Sequence, residues 1–167
     1  VDIGTTTIAM QVVDLESGAN VGRPLAAKNP QIAYGNDVIS RIGYTMKHSD
    51  GLAELQQVVV DGVNGMLADL DERLLPAEDI PSRIYDVTIV GNSTMRDLFF
   101  GIPVRTLGSI PFEPLSTEEK LVSAADLGLN VHPQARVYGA PLIGGQAGAD
   151  CLADIISTRL YERRDIG

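Results

Sequence analysis

The chain has 167 residues, of which 44% are hydrophobic and 21% charged, and it carries a formal net charge of −9 at pH 7. That length suits about one domain, able to bury roughly 70% of its unfolded surface, and the acidic balance leaves no basic stripe for nucleic acid or an anionic membrane. The single cysteine, Cys151, excludes an internal disulfide and a self-contained iron–sulfur cluster and suits a reducing cytoplasm, while no apolar run reaches the ~18 residues of a membrane span.

The first seven residues, Val1-Asp2-Ile3-Gly4-Thr5-Thr6-Thr7, read as the end of a buried strand, an acid at its tip, a glycine turn and a run of threonines. This is the layout of a phosphate-holding hairpin. Gly4 lets the backbone approach an oxyanion, and the N–H groups of Thr5 and Thr6 can form a small anion nest. The threonine hydroxyls add donors, and Asp2 can orient waters around a hard cation such as Mg²⁺. Thr7 points back into the strand and is structural. The plain alternative is a β-turn that carries ordinary turn residues.

Residues 8–15 read as a strand apolar on both faces, hence central. Turn chemistry at residues 14–18 leads to a third antiparallel strand over 21–28, which Pro24 pushes towards an edge or a bulge. Asn29-Pro30 breaks the pattern, and a helix starts near Asn36 with Val38, Ile39, Ile42 and Met46 as its apolar face. Asn36 and Asp37 are capping candidates. Asp37 stands at a helix start, where an anion is favoured, and can also pair with Arg41 on the surface. The clearest helix carries Leu52, Leu55, Val59, Val63, Met66, Leu70 and Leu74. Gly62 and Gly65 weaken it by about 1 kcal/mol each, which points to close packing there.

After a loop bounded by Pro76 and Pro81, residues 84–90 form a strand that runs into Gly91-Asn92-Ser93-Thr94 and a short helix through Phe100. Asn92, Ser93 and Thr94 sit where open α/β folds place ligand contacts, and N-capping explains them equally well. Residues 102–135 show little pattern beyond one amphipathic helix over 116–125. A strand at 136–140 is followed by Gly144, Gly145 and Gly148, read as close helix–sheet packing, and by a helix carrying Leu152, Ile155, Ile156 and Leu160. His48 and His132 have no metal-ligand partner and read as surface residues; Cys151 reads as a small buried hydrophobe.

Three strands, two helices, then strand, helix, strand and helix describe an α/β lobe with a mixed sheet flanked by helices. Led by the Asp2–Thr6 hairpin, this order resembles one lobe of an actin-like (ribonuclease H-like) ATPase. It predicts that residues 1–28 share one sheet with the strands at 84–90 and 136–140, with helices 52–74 and 146–161 packed on it. Three further stretches sharpen the resemblance. Residues 29–42 (NPQIAYGNDVISRI), 90–95 (VGNSTM) with 98–102 (LFFGI), and 141–145 (PLIGG) with Gly148-Ala149-Asp150 resemble, in order, the reductive activators of corrinoid proteins.

That resemblance implies a cytoplasmic protein of anaerobic metabolism that returns a Co(II) corrinoid to Co(I), using an iron–sulfur cluster and ATP with Mg²⁺. Residues 1–167 would be the first lobe of the ATPase domain, a fragment of a longer parent that carries the cluster domain and the second lobe elsewhere. Its partners would be those missing parts of its own parent and a corrinoid protein, with no nucleic acid and no membrane; a homodimeric parent stays open. Asp2 would be the catalytic residue and hold Mg²⁺ through water. Gly4, Thr5, Thr6, Asp37, Asn92, Ser93 and Thr94 would contact the nucleotide. Asp165-Ile166-Gly167 would be the linker before the second phosphate loop. Two other readings are an acetate- or sugar-kinase-like phosphotransferase, with Asn29, Asp37 and Arg41 as raw material for a substrate site, and a non-catalytic actin-like assembly module.

Overall fold

A computed structural model describes residues 1–74, 79–145 and 147–162. Pro76, the Leu74 side chain and Asp165–Gly167 therefore lie outside the described residues. Strand β1 (Asp2–Ile3) pairs antiparallel with β2 (Thr7–Val13), which pairs antiparallel with β3 (Asn20–Lys28). The central place of β2 follows from its apolar residues. The register slips between Met10 and Val12, opposite the stretch of β3 that holds Pro24, so the predicted bulge is present.

The second half builds β4 (Asp86–Ile89), parallel to β6 (Arg136–Gly139), with β5 (Lys120–Ser123) antiparallel to β6 on its other side. The strands thus form two three-stranded sheets, β1-β2-β3 and β4-β6-β5, rather than the single sheet expected. They meet at one parallel bridge, Asp2 to Val90, where Ile3 N donates to Val90 O at 2.8 Å and Val90 N donates to Val1 O at 2.9 Å. Val1 N adds a further contact to the same strand region, donating to Thr88 O at 2.7 Å. β5 replaces the helix expected over 116–125. Its four residues gain their ladder from β6 alone, and the helical part shrinks to α4 (Ala124–Leu127), capped by Ser123 and ended by Gly128 in the left-handed region.

In the chain, α1 (Val38–Lys47) and α2 (Gly51–Leu74) lie between β3 and β4, and α3 (Ser93–Phe99) follows β4. One face of α2 (Leu55, Val59, Val63, Met66 and Leu70) packs with Ile3, Ile8, Met10, Val87, Ile89, Val137, Leu98 and Phe99 into one core. Strands β4 and β6 alternate exposed and buried residues, so this core lies on one face of the sheet. Gly62 lets Pro30 pack close: a Cβ there would sit 3.0 Å from Pro30 Cγ, whereas Gly65 faces open space. The face predicted for α1 is wrong in part. Ile39 and Met46 are exposed, and the fully buried positions are Arg41 and Ile42.

The last helix, α5 (Ala149–Ser157), is shorter than expected and is followed by a 3-10 turn at Leu160–Glu162. It joins the sheet through its first turn, where Ala149 packs with Ala140, Leu142 and Val90. Beyond that turn Ile156 is exposed, and so is Cys151, which corrects its reading as a buried hydrophobe. His48 is exposed and stacks on Tyr44; His132 is half-buried against Tyr85, and its Nδ1 accepts from Gln134 N.

Truncating Leu55, which is fully buried, should leave a cavity costing about 2–5 kcal/mol. Leu15→Ala, at an exposed turn, should stay within about 0.5 kcal/mol. Urea unfolding of both variants measures the difference, and equal midpoints would mean that α2 is not seated on the core.

Candidate functional site

The turn between β1 and β2 is fixed from behind by residues far along the chain. Asn29 Nδ2 donates to Gly4 O at 2.8 Å, and the backbone N of the same residue donates to Thr6 O at 2.8 Å. Arg41 Nη2 donates to the carbonyl between them, Thr5 O, at 2.6 Å. Three successive carbonyls are thereby turned inward. Among the described residues, the Thr5 and Thr6 amides donate to no protein acceptor. A buried amide would need a partner, so these face outward. A Cβ on Gly4 would lie 2.5 Å from Thr7 O, so no side chain fits at the bend.

Arg41 and Asn29 are each fully buried. Beyond Thr5, the Arg41 guanidinium donates from Nε to Gly35 O at 3.0 Å and from Nη1 to Gln31 Oε1 at 3.2 Å, with Met95 Sδ at 2.9 Å. Burial lowers its pKa, which the charge of Asp37 opposes. The surface pair of Asp37 with Arg41 is therefore corrected. Asp37 is exposed and caps α1, its Oδ1 accepting from the Ser40 hydroxyl and from Ser40 N at 2.7 Å; these bonds, the hydroxyl's first, hold its carboxyl below the ordinary value. Asn36 lies one residue before the cap.

The second turn, Gly91-Asn92, abuts the first. Asn92 has two tasks: Oδ1 caps α3 by accepting from Met95 N at 3.0 Å, and Nδ2 donates to Thr5 Oγ1 at 3.0 Å. With its oxygen engaged as an acceptor, the Thr5 hydroxyl keeps its own proton to donate. Ser93 and Thr94 are buried in the first turn of α3, and the Ser93 hydroxyl donates to Gly144 O. Gly148 brings α5 onto this turn, since a Cβ there would sit 2.4 Å from Asn92 Cα; Asp150 N also donates to Gly91 O at 3.2 Å. The packing reading of Gly148 is borne out.

Asp2 stands at the rim, exposed as a residue. Partial burial of its carboxyl pushes the pKa up. Repulsion from Asp150 and, more weakly, from Asp154 of α5 adds to this, and the Val1 ammonium opposes it. No group of three or more metal-ligating side chains occurs among the described residues. The oxygen donors present suit a cation that keeps most of its waters and takes the rest from a phosphate.

The matching family model is described as the RACo middle region, and it aligns with residues 1–163. The chain belongs to this family. It is 31% identical over 156 residues to the corrinoid activation enzyme RamQ of Eubacterium limosum, covering 93% of this chain and 26% of that protein. A solved structure titled reductive activator for corrinoid, iron-sulfur protein superposes with a TM-score of 0.92 at 32% identity, covering 99% of this chain and 26% of that one. The chain spans about a quarter of the length of both relatives.

Of the residues singled out from sequence, the structure brings together Asp2, Gly4, Thr5, Thr6 and Asn92. Asp37 serves its own helix, and Ser93 and Thr94 support the turn from beneath. Asn29 and Arg41, read as raw material for a substrate site, were missed as the groups that fix the turn. Their signal was the Asn-Pro break and an arginine on the inner side of an amphipathic helix.

A raised carboxyl pKa means that the charged form of Asp2 is disfavoured in the fold. Its contribution is whole below the unfolded pKa and is lost as pH rises through the folded one. Asp2→Asn removes that loss. The D2N chain should melt at a higher temperature than wild type at pH 7, and the gap should close below about pH 3.8. Calorimetry across pH 3–8 measures this, and a D2N chain less stable at pH 7 would refute the electrostatic account of the rim.

Proposed function

We propose that this chain is the first, phosphate-binding lobe of an actin-like ATPase domain within a longer, cytoplasmic reductive activator. That activator would return a Co(II) corrinoid to Co(I) with one electron from an iron–sulfur cluster housed outside residues 1–167. The observation that carries this reading is the turn at Gly4–Thr6, whose carbonyls are tied inward while, among the described residues, the Thr5 and Thr6 amides meet no protein acceptor. A backbone held in that sense presents positive ends of peptide dipoles to an anion before the anion arrives.

In this function Thr5 and Thr6 hold phosphate oxygens through amides and hydroxyls, and Gly4 allows the close approach. Asn92 sets the Thr5 hydroxyl so that its proton points outward. Asp2 orients a water, either one on Mg²⁺ or the one that attacks the terminal phosphate. Mg²⁺ supplies charge neutralisation for the transferring phosphoryl group. Asp2 fits this task because the like charges of Asp150 and Asp154 raise its electrostatic energy, which a divalent cation relieves. Asp37, Ser93 and Thr94 act at one remove, by fixing α1 and α3.

Closure of this lobe on a second one would couple ATP to the otherwise unfavourable electron transfer. The phosphotransferase alternative draws on Asn29, Asp37 and Arg41 as raw material for a substrate site, and Asp37 caps α1. Asn29 and Arg41 are buried and engaged by the turn.

In the full-length protein, Asp2→Asn should reduce ATP turnover by about 10²–10⁴, and ATP-dependent corrinoid reduction should fall with it. Cluster-dependent reduction of an external dye should persist, since those electrons bypass the turn. A D2N protein with full ATP-stimulated corrinoid reduction would reduce Asp2 to a turn residue.

A further inference from the structure

Arg41 is a charge placed where charge is costly. Its side chain is wholly buried, and among the described residues no ion pair joins it to a carboxylate. Each group it touches is neutral: the Thr5 and Gly35 carbonyls, the Gln31 amide oxygen and the Met95 thioether. A buried cation is ordinarily paired or neutralised, and arginine does not give up its proton in proteins. Hydrogen bonds satisfy its donors but leave its field uncancelled. Asp37, the acid that bears on it, faces solvent and is engaged by Ser40. That field emerges where Arg41 meets the chain of the turn, on the carbonyl of the same peptide that carries the Thr6 amide and one peptide from the Thr5 amide.

We propose that Arg41 is a positioning residue for the anion at the Gly4–Thr6 turn, locking the Thr5 carbonyl inward while its unpaired positive charge biases the seat towards phosphate. This rests on the phosphate-turn reading above and adds a second source of anion affinity beneath the backbone nest. The bound phosphate completes the charge balance that the folded chain leaves open. A purely structural arginine would need its hydrogen bonds but not its net charge, so the two roles separate when charge and hydrogen bonding are varied independently.

Met95 provides the means, because its sulfur lies beside Arg41 Nη1. Met95→Glu neutralises the guanidinium in place, and Met95→Gln has nearly the same shape without the charge. In the full-length protein, binding of Mg-ATP and of adenosine is measured by calorimetry for wild type, M95E, M95Q, R41K and R41Q, each checked for folding by circular dichroism. M95E should bind Mg-ATP about tenfold or more weakly than M95Q, from the loss of a unit charge at a partly buried seat. M95Q should remain near wild type, R41K should keep more affinity than R41Q, and adenosine, which has no phosphate, should bind all of them alike. M95E matching M95Q while wild type binds Mg-ATP would overturn the role of charge alone. Where M95E does not fold, R41K losing as much as R41Q does the same. A folded wild type with no affinity for Mg-ATP would overturn the phosphate-turn reading and this inference together.

Discussion

Three inward-turned carbonyls at Gly4, Thr5 and Thr6 decide how the rest of the chain is arranged. A tight turn left to itself exposes a mixture of amide and carbonyl groups to solvent, and the two attract opposite charges. Here Asn29 holds the first and third carbonyls with its side chain and backbone, and Arg41 holds the second. The outward surface is therefore biased towards donors. Placing Asn29 requires β3 to end beside the turn, which the Thr7–Lys28 pairing ensures. Placing Arg41 requires α1 to present its polar residue inward, with the amide of Gln31 bridging to the Leu55 carbonyl on α2. The core and the candidate site share a single scaffold.

The second turn is coupled to the first by the same economy of groups. Asn92 caps α3 and steadies the Thr5 hydroxyl, so a single side chain links the start of a helix to the rim. α3 is buried along its whole length, including an Arg96–Asp97 pair at 2.8 Å. A helix so enclosed has little freedom to shift Asn92. Gly148 and the Asp150 amide then bring α5 and its acids onto the opposite side of the Gly91 turn. The result is a donor-rich seat bordered by carboxylates, an arrangement suited to a phosphate that arrives with a divalent cation.

Much of this was legible in the sequence where the signal is local. The Asp2–Thr6 hairpin, the strand at 84–90 and the 52–74 helix follow from alternation and helical spacing, and Asn92 was placed correctly as a cap. The rest depends on contacts across long stretches of chain. Thr5 and Arg41 are 36 residues apart, and Asn29 lies 25 residues from Gly4. Apolar periodicity assigned Ile39 and Met46 to the core face of α1, since it has no means of ranking a buried arginine above an exposed isoleucine. β5 was read as part of a helix because Lys-Leu-Val-Ser has no strand signature until β6 lies beside it. Cys151 follows an apolar helix pattern, yet the described residues leave its face of α5 open.

The orientation of the Gly4–Thr6 peptides is the claim on which the account stands. It is tested most directly by titrating Mg-ATP at millimolar concentrations into the ¹⁵N-labelled chain and following each backbone amide by NMR. The account predicts that the Thr5 and Thr6 amides move the most, and that adenosine in place of Mg-ATP leaves them unshifted. Thr5 and Thr6 amides that stay fixed while signals elsewhere in the chain move would contradict it.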